Sequence, residues 1–257
     1  IFIHIFDLSD NNTNAFFIYA SLSAPLLELF DCSSFLIHFW GETSLGKTTI
    51  MEIASSVWGK PDKETGGLIT SWNNTMVFVE RLVSFFNDLP MFLDDTQTTD
   101  DKTVSKIMYM IGNSTVRGRG KKAGGVDTNK SWHTVCFSTG EKQLTESTQY
   151  DGAKARTTEF KGSPFGRNEG KVVNEVKTCV RENYGHLGNL FMKGMLETLN
   201  KSEEDKKEFI DDTKLIYNEY IAFYPHKIRE FLSSHGFSPN SVIRSLANRE
   251  WIRKIKD

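Results

Sequence analysis

The sequence predicts an α/β fold: a parallel sheet covered on both faces by helices, followed by a smaller, mostly helical module. Three observations predict it. Short apolar runs alternate with segments of helical periodicity up to about Phe160. A run of the form GxxxxGK[ST], from Gly41 to Thr48, sits between one such apolar run and one such helix. A second apolar run ends in two consecutive acids, Asp94 and Asp95.

The elements follow in order. Asn12 to Phe30 reads as an apolar helix bent at Pro25, because proline lacks the N–H that an inner turn requires. Ser21, Ser23, Pro25 and Glu28 interrupt it too closely for a membrane span. Phe35 to Trp40 reads as a buried strand ended by Gly41, and Lys47 to Trp58 as a helix stopped by Gly59 and Pro61. Met76 to Phe86 is a helix through Met76, Val79, Val83 and Phe86, and Leu89 to Leu93 is a second strand. Lys102 to Ile111 is a helix with Val104, Ile107, Met108 and Ile111 on one face. Trp132 to Phe137 and Ala155 to Phe160 are further strands. After Gly170 the pattern is helical, including a helix from Glu203 to Phe223. The expected domains are therefore residues 1–200, a connector helix over 201–224, and a module over 225–257.

The 257 residues suffice for a large core, with 39% hydrophobic and 12% aromatic residues, which excludes a disordered chain. A net charge of −2 excludes a uniformly basic nucleic-acid coat but leaves room for a local basic patch. Cys32, Cys136 and Cys179 are far apart, which argues against a disulfide scaffold or zinc ribbon and for the reducing cytoplasm. HExxH and GxSxG are missing from the chain, which speaks against zinc-protease and serine-hydrolase chemistry. The chain starts Ile-Phe-Ile-His without an initiator Met, as expected of a fragment.

Gly41, Glu42, Thr43, Ser44, Leu45, Gly46, Lys47, Thr48 and Thr49 form the pattern of a phosphate-binding loop (P-loop). Its glycines let backbone N–H groups converge on phosphate oxygens, and the helix after it aims a positive dipole end at the same anion. The Lys47 ammonium suits the β- and γ-phosphates of ATP, and the Thr48 hydroxyl suits Mg²⁺. Asp94 is placed to contact the metal and Asp95 to activate the attacking water. The strand from His133 ends in Ser138-Thr139-Gly140-Glu141, where Ser138 or Thr139 can sit between the acids and the γ-phosphate. An arginine from a neighbouring subunit commonly completes hydrolysis in ring-shaped motors, and Arg156 is the first choice, with Arg117, Arg119 and Arg167 as alternatives.

Two regions suggest nucleic acid. Arg117, Arg119, Lys121 and Lys122 place four cations in a Gly-rich segment suited to sequence-blind phosphate binding. Near the end, Ser238-Pro239 starts a helix from Asn240 to Asn248 that carries Arg244 outward, after a shorter helix from His226 to His235. That is the pattern of a helix-turn-helix or of a winged helix whose wing is cut short.

The ordered runs "GETSLGKTT", "ASSVWG", "SWNNT", "LPMFLDD", "CFSTGE", "GAKAR" and "ENYGHLG" resemble the bacterial P-loop family catalogued as domain of unknown function 927. They are also similar to the replicative helicases of mobile genetic elements that carry this domain. The resemblance implies an AAA+-like motor in the style of MCM and superfamily-III helicases, a homo-hexameric ring with single-stranded DNA in its channel, and ATP and Mg²⁺ as cofactors. It implies that Lys47 and Thr48 bind phosphate and metal, that Asp94 is the metal carboxylate, and that Asp95 stands where most members have Glu. Ser138 or Thr139 takes the sensor position, Arg156 matches a family arginine, and Asn73 and Glu80 match family positions without an assigned role. The reading is an ATP-driven DNA helicase or translocase. Its alternatives are an ATPase that remodels or loads another replication protein, and a nucleotide-switched DNA-binding protein without turnover.

Overall fold

A computed structural model describes residues 13–42, 46–64, 66–114, 131–146, 148, 150–162, 165, 170–199, 215–217 and 220–222. The chain divides into two compact units, residues 1–192 and 193–257.

In the first unit, α1 (Thr13–Ser23) and the short α2 (Leu26–Leu29) are separated at Pro25, whose φ of −65° caps the second helix. β1 (Phe35–Trp40) then leads through the phosphate-loop motif to α3 (Lys47–Ser56). β2 (Ile69–Ser71), α4 (Met76–Phe85), β3 (Met91–Asp94) and α5 (Asp101–Gly112) follow. The unit continues with β4 (Val135–Gly140), α6 (Asp151–Ala155), β5 (Thr157–Lys161), α7 (Gly170–Glu182) and the first half of α8 (His186–Leu199), which runs on past the unit boundary at Met192. The helices begin where the sequence supplies acceptors: Thr75 Oγ1 caps the Phe78 N–H of α4, and Asp100 Oδ1 caps the Thr103 N–H of α5.

The five strands form one parallel sheet in the order β2-β3-β4-β1-β5. β4 therefore lies between the strand that precedes the phosphate loop and the strand that ends in Asp94. Alternation along each strand sends neighbouring side chains to opposite faces. Ile37, Phe39, Phe92 and Phe137 pack with Phe17 of α1, Ile50 and Ile53 of α3, and Val176 and Val180 of α7. Leu36, Met91, Leu93 and Cys136 pack with Val79 and Val83 of α4, Ile107 and Ile111 of α5, and Ala153 of α6. The expected sheet, parallel and covered on both faces, is present.

Four elements depart from expectation. β2 and α6 were not expected, because three and five residues are too few to show a period. The strand expected from Trp132 begins at Val135; Trp132 is instead fully buried and donates its indole N–H to the Ile111 carbonyl at the end of α5. In the second unit, the helix expected over Glu203 to Phe223 is corrected: β6 (Leu215–Tyr217) and β7 (Tyr220–Ala222) pair antiparallel within that range. The β-branched and aromatic residues Ile216, Tyr217, Tyr220 and Ile221 favour that pairing over a helix. The module expected over 225–257 lies outside the described residues. Among the described residues no helix is long and apolar enough to cross a membrane.

Candidate functional site

A cleft of about 450 Å³ opens at the C-terminal ends of β1, β3 and β4. This is where a parallel α/β sheet binds ligands, because the loops leaving the strand ends diverge there. Its wall brings together Gly46, Lys47, Thr48 and Thr49 from the start of α3, Asp94 and Asp95 from β3, and Thr139 from β4. Thr43, Ser44 and Leu45 lie outside the described residues, as do Arg117, Arg119, Lys121, Lys122, Arg167 and Arg244.

Gly46 caps α3 with φ +82°, a left-handed conformation that disfavours side chains. Its carbonyl accepts the Ile50 N–H, so the helix begins at the motif and its first N–H groups face the cleft. Lys47 Nζ donates to the carbonyls of Gly41 at 2.8 Å and Glu42 at 2.6 Å, folding the side chain back over the loop. Thr49 is buried and its Oγ1 has no hydrogen-bond partner among the described residues, although the residue lines the cleft. An orphaned buried hydroxyl beside a lysine and a helix N-terminus fits a phosphate group, which supplies acceptors.

Asp94 and Asp95 have different surroundings. The Asp94 carboxylate is almost fully buried, accepts from the Thr139 hydroxyl and pairs with Lys63 Nζ at 2.6 Å. Thr139 Oγ1 also accepts the Asp95 backbone N–H at 3.1 Å. One hydroxyl thus holds both acids in relation to each other. Asp95 has φ +71° and ψ +78°, a conformation that Asp tolerates better than most residues and that turns the chain sharply off the strand. Thr48 and Asp94 are the pair that fits a magnesium ion: a hydroxyl and a carboxylate on the same cleft.

The sequence admits either Ser138 or Thr139, and strand alternation separates them. Thr139 shares the face of Phe137 and reaches Asp94. Ser138 shares the face of Cys136, away from the cleft, where it accepts the Trp72 indole N–H at 3.0 Å and meets His38 Nδ1 at 2.9 Å. His38 Nε2 meets the Lys142 carbonyl at 2.9 Å. A carbonyl only accepts, so Nε2 carries the proton, Nδ1 accepts, and the Ser138 hydroxyl donates to it. Burial lowers the His38 pKa to about 4, against smaller opposing effects of its hydrogen bonds and Glu159, so the ring is neutral at physiological pH.

Gly140 ends β4 between these groups. A Cβ there would lie 2.1 Å from Thr96 Oγ1 and 3.0 Å from His38 Cε1, so the close approach demands glycine. Arg156 lies away from the cleft. Its carbonyl accepts the Leu36 N–H at the start of β1, and its guanidinium donates to the Gly152 carbonyl. The length of β1, six residues or roughly 20 Å, separates it from the cleft of its own chain.

Sequence reasoning missed Lys63, Gln97 and Lys177, which also line the cleft. Lys63 comes from a loop and Gln97 from a three-residue 3-10 turn (Thr96–Thr98), and neither shows a period. Lys177 had a usable signal: it follows Val176 and lies four residues after Val173 on a helix whose Val176 and Val180 are buried.

Residues 3–131, half of the chain, match the family described as Domain of unknown function (DUF927). No curated protein matches the chain. Among solved structures, the chain is similar to a helicase described as "SCCmec type IV Cch - active helicase", at 24% identity and a TM-score of 0.58, covering 87% of this chain. The chain spans 37% of that helicase's length. A JCV helicase is similar at 10% identity with a TM-score of 0.34, over 88% of this chain and 65% of its own. The Cch likeness is one of fold, and it agrees with the parallel sheet and helices described above. On the family match, the chain belongs to the DUF927 family.

Proposed function

We propose that this chain is the P-loop ATPase core of a DNA helicase or translocase, AAA+-like in architecture, that serves replication of a mobile genetic element. The observation that carries the reading is the convergence of Lys47, Thr48, Thr49, Asp94, Asp95 and Thr139 on one cleft at the ends of parallel strands. The likeness in fold to the Cch helicase supports the choice of motor.

Lys47 and the N–H groups at the start of α3 bind the phosphates of ATP, and Thr49 adds a hydroxyl. Thr48 and Asp94 would hold Mg²⁺, which would supply positive charge to the phosphoryl oxygens. Asp95 orients a water for in-line attack and accepts its proton. Thr139 keeps Asp94 and the Asp95 backbone in register. Arg156, remote from its own cleft, acts on the cleft of a neighbouring copy, which supports a ring, a hexamer in the family manner. The basic segment of Arg117, Arg119, Lys121 and Lys122 grips single-stranded DNA in the channel, and Arg244 belongs to a C-terminal DNA-binding module. Cys32, Cys136 and Cys179, which form no disulfide among the described residues, suit the cytoplasm.

Steady-state ATP hydrolysis with and without single-stranded DNA, beside Lys47→Ala, tests the reading. Turnover that rises with DNA and disappears in the variant is expected. DNA-independent turnover moves the reading to a remodelling or loading ATPase. No turnover in the wild type or in Asp95→Glu, despite ATP binding, overturns the motor in favour of a nucleotide switch.

A further inference from the structure

Lys63 stands on the loop between α3 and β2, sixteen residues beyond the motif lysine, and belongs to no motif. Its ammonium lies 2.6 Å from Asp94 Oδ2, with half of the Lys63 side chain exposed and only 5% of the Asp94 side chain. The loop that delivers it is built independently of that contact. The Asp62 carbonyl accepts the Ile69 N–H at 3.0 Å. The Asp62 carboxylate accepts the Glu64 N–H at 3.1 Å and pairs with Lys60 at 2.8 Å. Gly67 packs so tightly on this turn that a Cβ would lie 2.2 Å from the Asp62 carbonyl oxygen. Lys63 is therefore presented to the cleft by its own scaffold.

The consequences are electrostatic. The Thr139 hydroxyl takes Asp94 Oδ1, so the oxygen left for a cation is the one that Lys63 holds. Magnesium binds carboxylate oxygen at about 2.0–2.1 Å, and two cations on one buried carboxylate repel each other strongly. Lys63 and a metal at Asp94 therefore compete. The half-exposed, four-carbon stem of Lys63 lets its ammonium move without rebuilding the loop. Lys63 lines the cleft together with Lys47, so an ammonium displaced from Asp94 stays at the cleft wall. Lys47 reaches this space from the phosphate loop, and Lys63 from the side of β3.

We propose that Lys63 is a second phosphate-binding lysine of this site: it holds the Asp94 carboxylate until a metal takes that oxygen, and then binds the terminal phosphate of a nucleoside triphosphate. The proposal rests on the nucleotide reading of the cleft. It makes the site discriminate a triphosphate from a diphosphate through a residue outside the motif.

Isothermal titration of the whole chain with the Mg²⁺ complexes of ADP and of the non-hydrolysable β,γ-imido analogue of ATP tests it. Lys63→Ala is expected to weaken the triphosphate about tenfold, the scale of one charge-assisted hydrogen bond to phosphate, and ADP by less than about twofold. Lys63→Arg, which keeps the charge, is expected to restore most of the preference. An equal loss for both nucleotides, or no loss, overturns the proposal and leaves a surface ion pair. Lys47→Ala separates the two readings: loss of both nucleotides there, with an unchanged ratio in Lys63→Ala, retains the nucleotide site and removes only the role of Lys63. A wild-type chain that binds neither nucleotide overturns both.

Discussion

Two polar clusters occupy the same end of the same strands, on opposite faces of the sheet. On one face Asp94 and Thr139 open into the cleft, where the Asp94 charge is met by a half-exposed lysine. On the other face Trp72, Ser138 and His38 are buried and close a chain of hydrogen bonds that ends on the Lys142 carbonyl. One residue of offset along β4 decides which cluster a hydroxyl joins. The difference is one of satisfaction. The closed cluster has its donors matched to acceptors and serves as a rigid backing. The open cluster keeps a charge with an exchangeable partner and a neighbouring hydroxyl, Thr49, without one among the described residues. A site that must take and release a ligand needs the second arrangement, and it needs the first to stay in place.

The comparison can be broken from either side. The largest effect is expected from Asp94→Asn, which removes the open cluster's charge. Turnover should fall about 10²–10³-fold, the scale of losing a key electrostatic group, while thermal unfolding shifts little. Retention of both turnover and Mg²⁺ dependence would remove Asp94 from the site. The closed cluster should instead answer to pH. His38 has its pKa lowered to about 4 in the folded chain against 6.5 when free, so the unfolded state binds the proton more readily. Its contribution is intact above pH 6.5 and is lost as pH falls from 6.5 towards 4. The loss amounts to about 3 kcal/mol, read as a falling urea midpoint and flattened in His38→Phe.

Gly140→Ala tests the junction of the two clusters. The added methyl would collide with Thr96 and His38, and about 2 kcal/mol of stability should be lost, measured by denaturant unfolding. Ser138→Ala and Thr139→Val sharpen the contrast. The first should cost about 1–2 kcal/mol of stability by leaving the Trp72 N–H and His38 Nδ1 unmatched, with turnover kept. The second should lower turnover about tenfold and also cost about 1–2 kcal/mol of stability, because Asp94 Oδ1 and the Asp95 N–H lose their partner. Exchange of these outcomes would reverse the assignment of the faces. The smallest effect is expected from Arg181→Ala. Arg181 pairs at 2.7 Å with the buried Glu52 of α3 but is itself half exposed, so about 1 kcal/mol of stability should be lost in thermal unfolding.

Most of the fold was legible because its signals are local. β1 ends where Gly41 stands, and Pro25 separates α1 from α2. The phosphate-loop helix and the acidic strand end were legible for the same reason: each is a contiguous run with its own chemistry. Short elements were not, since β2 shows no period over three residues. The stretch from Leu215 to Ala222 shows the opposite failure. Its apolar spacing fitted a helical stripe, but its β-branched and aromatic residues pair as strands. The choice between Ser138 and Thr139 was beyond local reading, because strand register decides which face a side chain takes.

By itself the sequence determined the order of the longer elements of the first unit, the loop that can cradle phosphate, the two acids and the need for a polar residue after Phe137. These rest on contacts between near neighbours, which composition and spacing encode. Tertiary structure alone decided that β4 runs between β1 and β3, that Thr139 and not Ser138 meets Asp94, and that Lys63 takes the Asp94 oxygen facing the cleft. It also decided that Arg156 stands at the far end of the sheet from its own cleft. Each of these depends on groups far apart in the chain, whose meeting is set by the packing of helices on both faces of the sheet rather than by any local pattern.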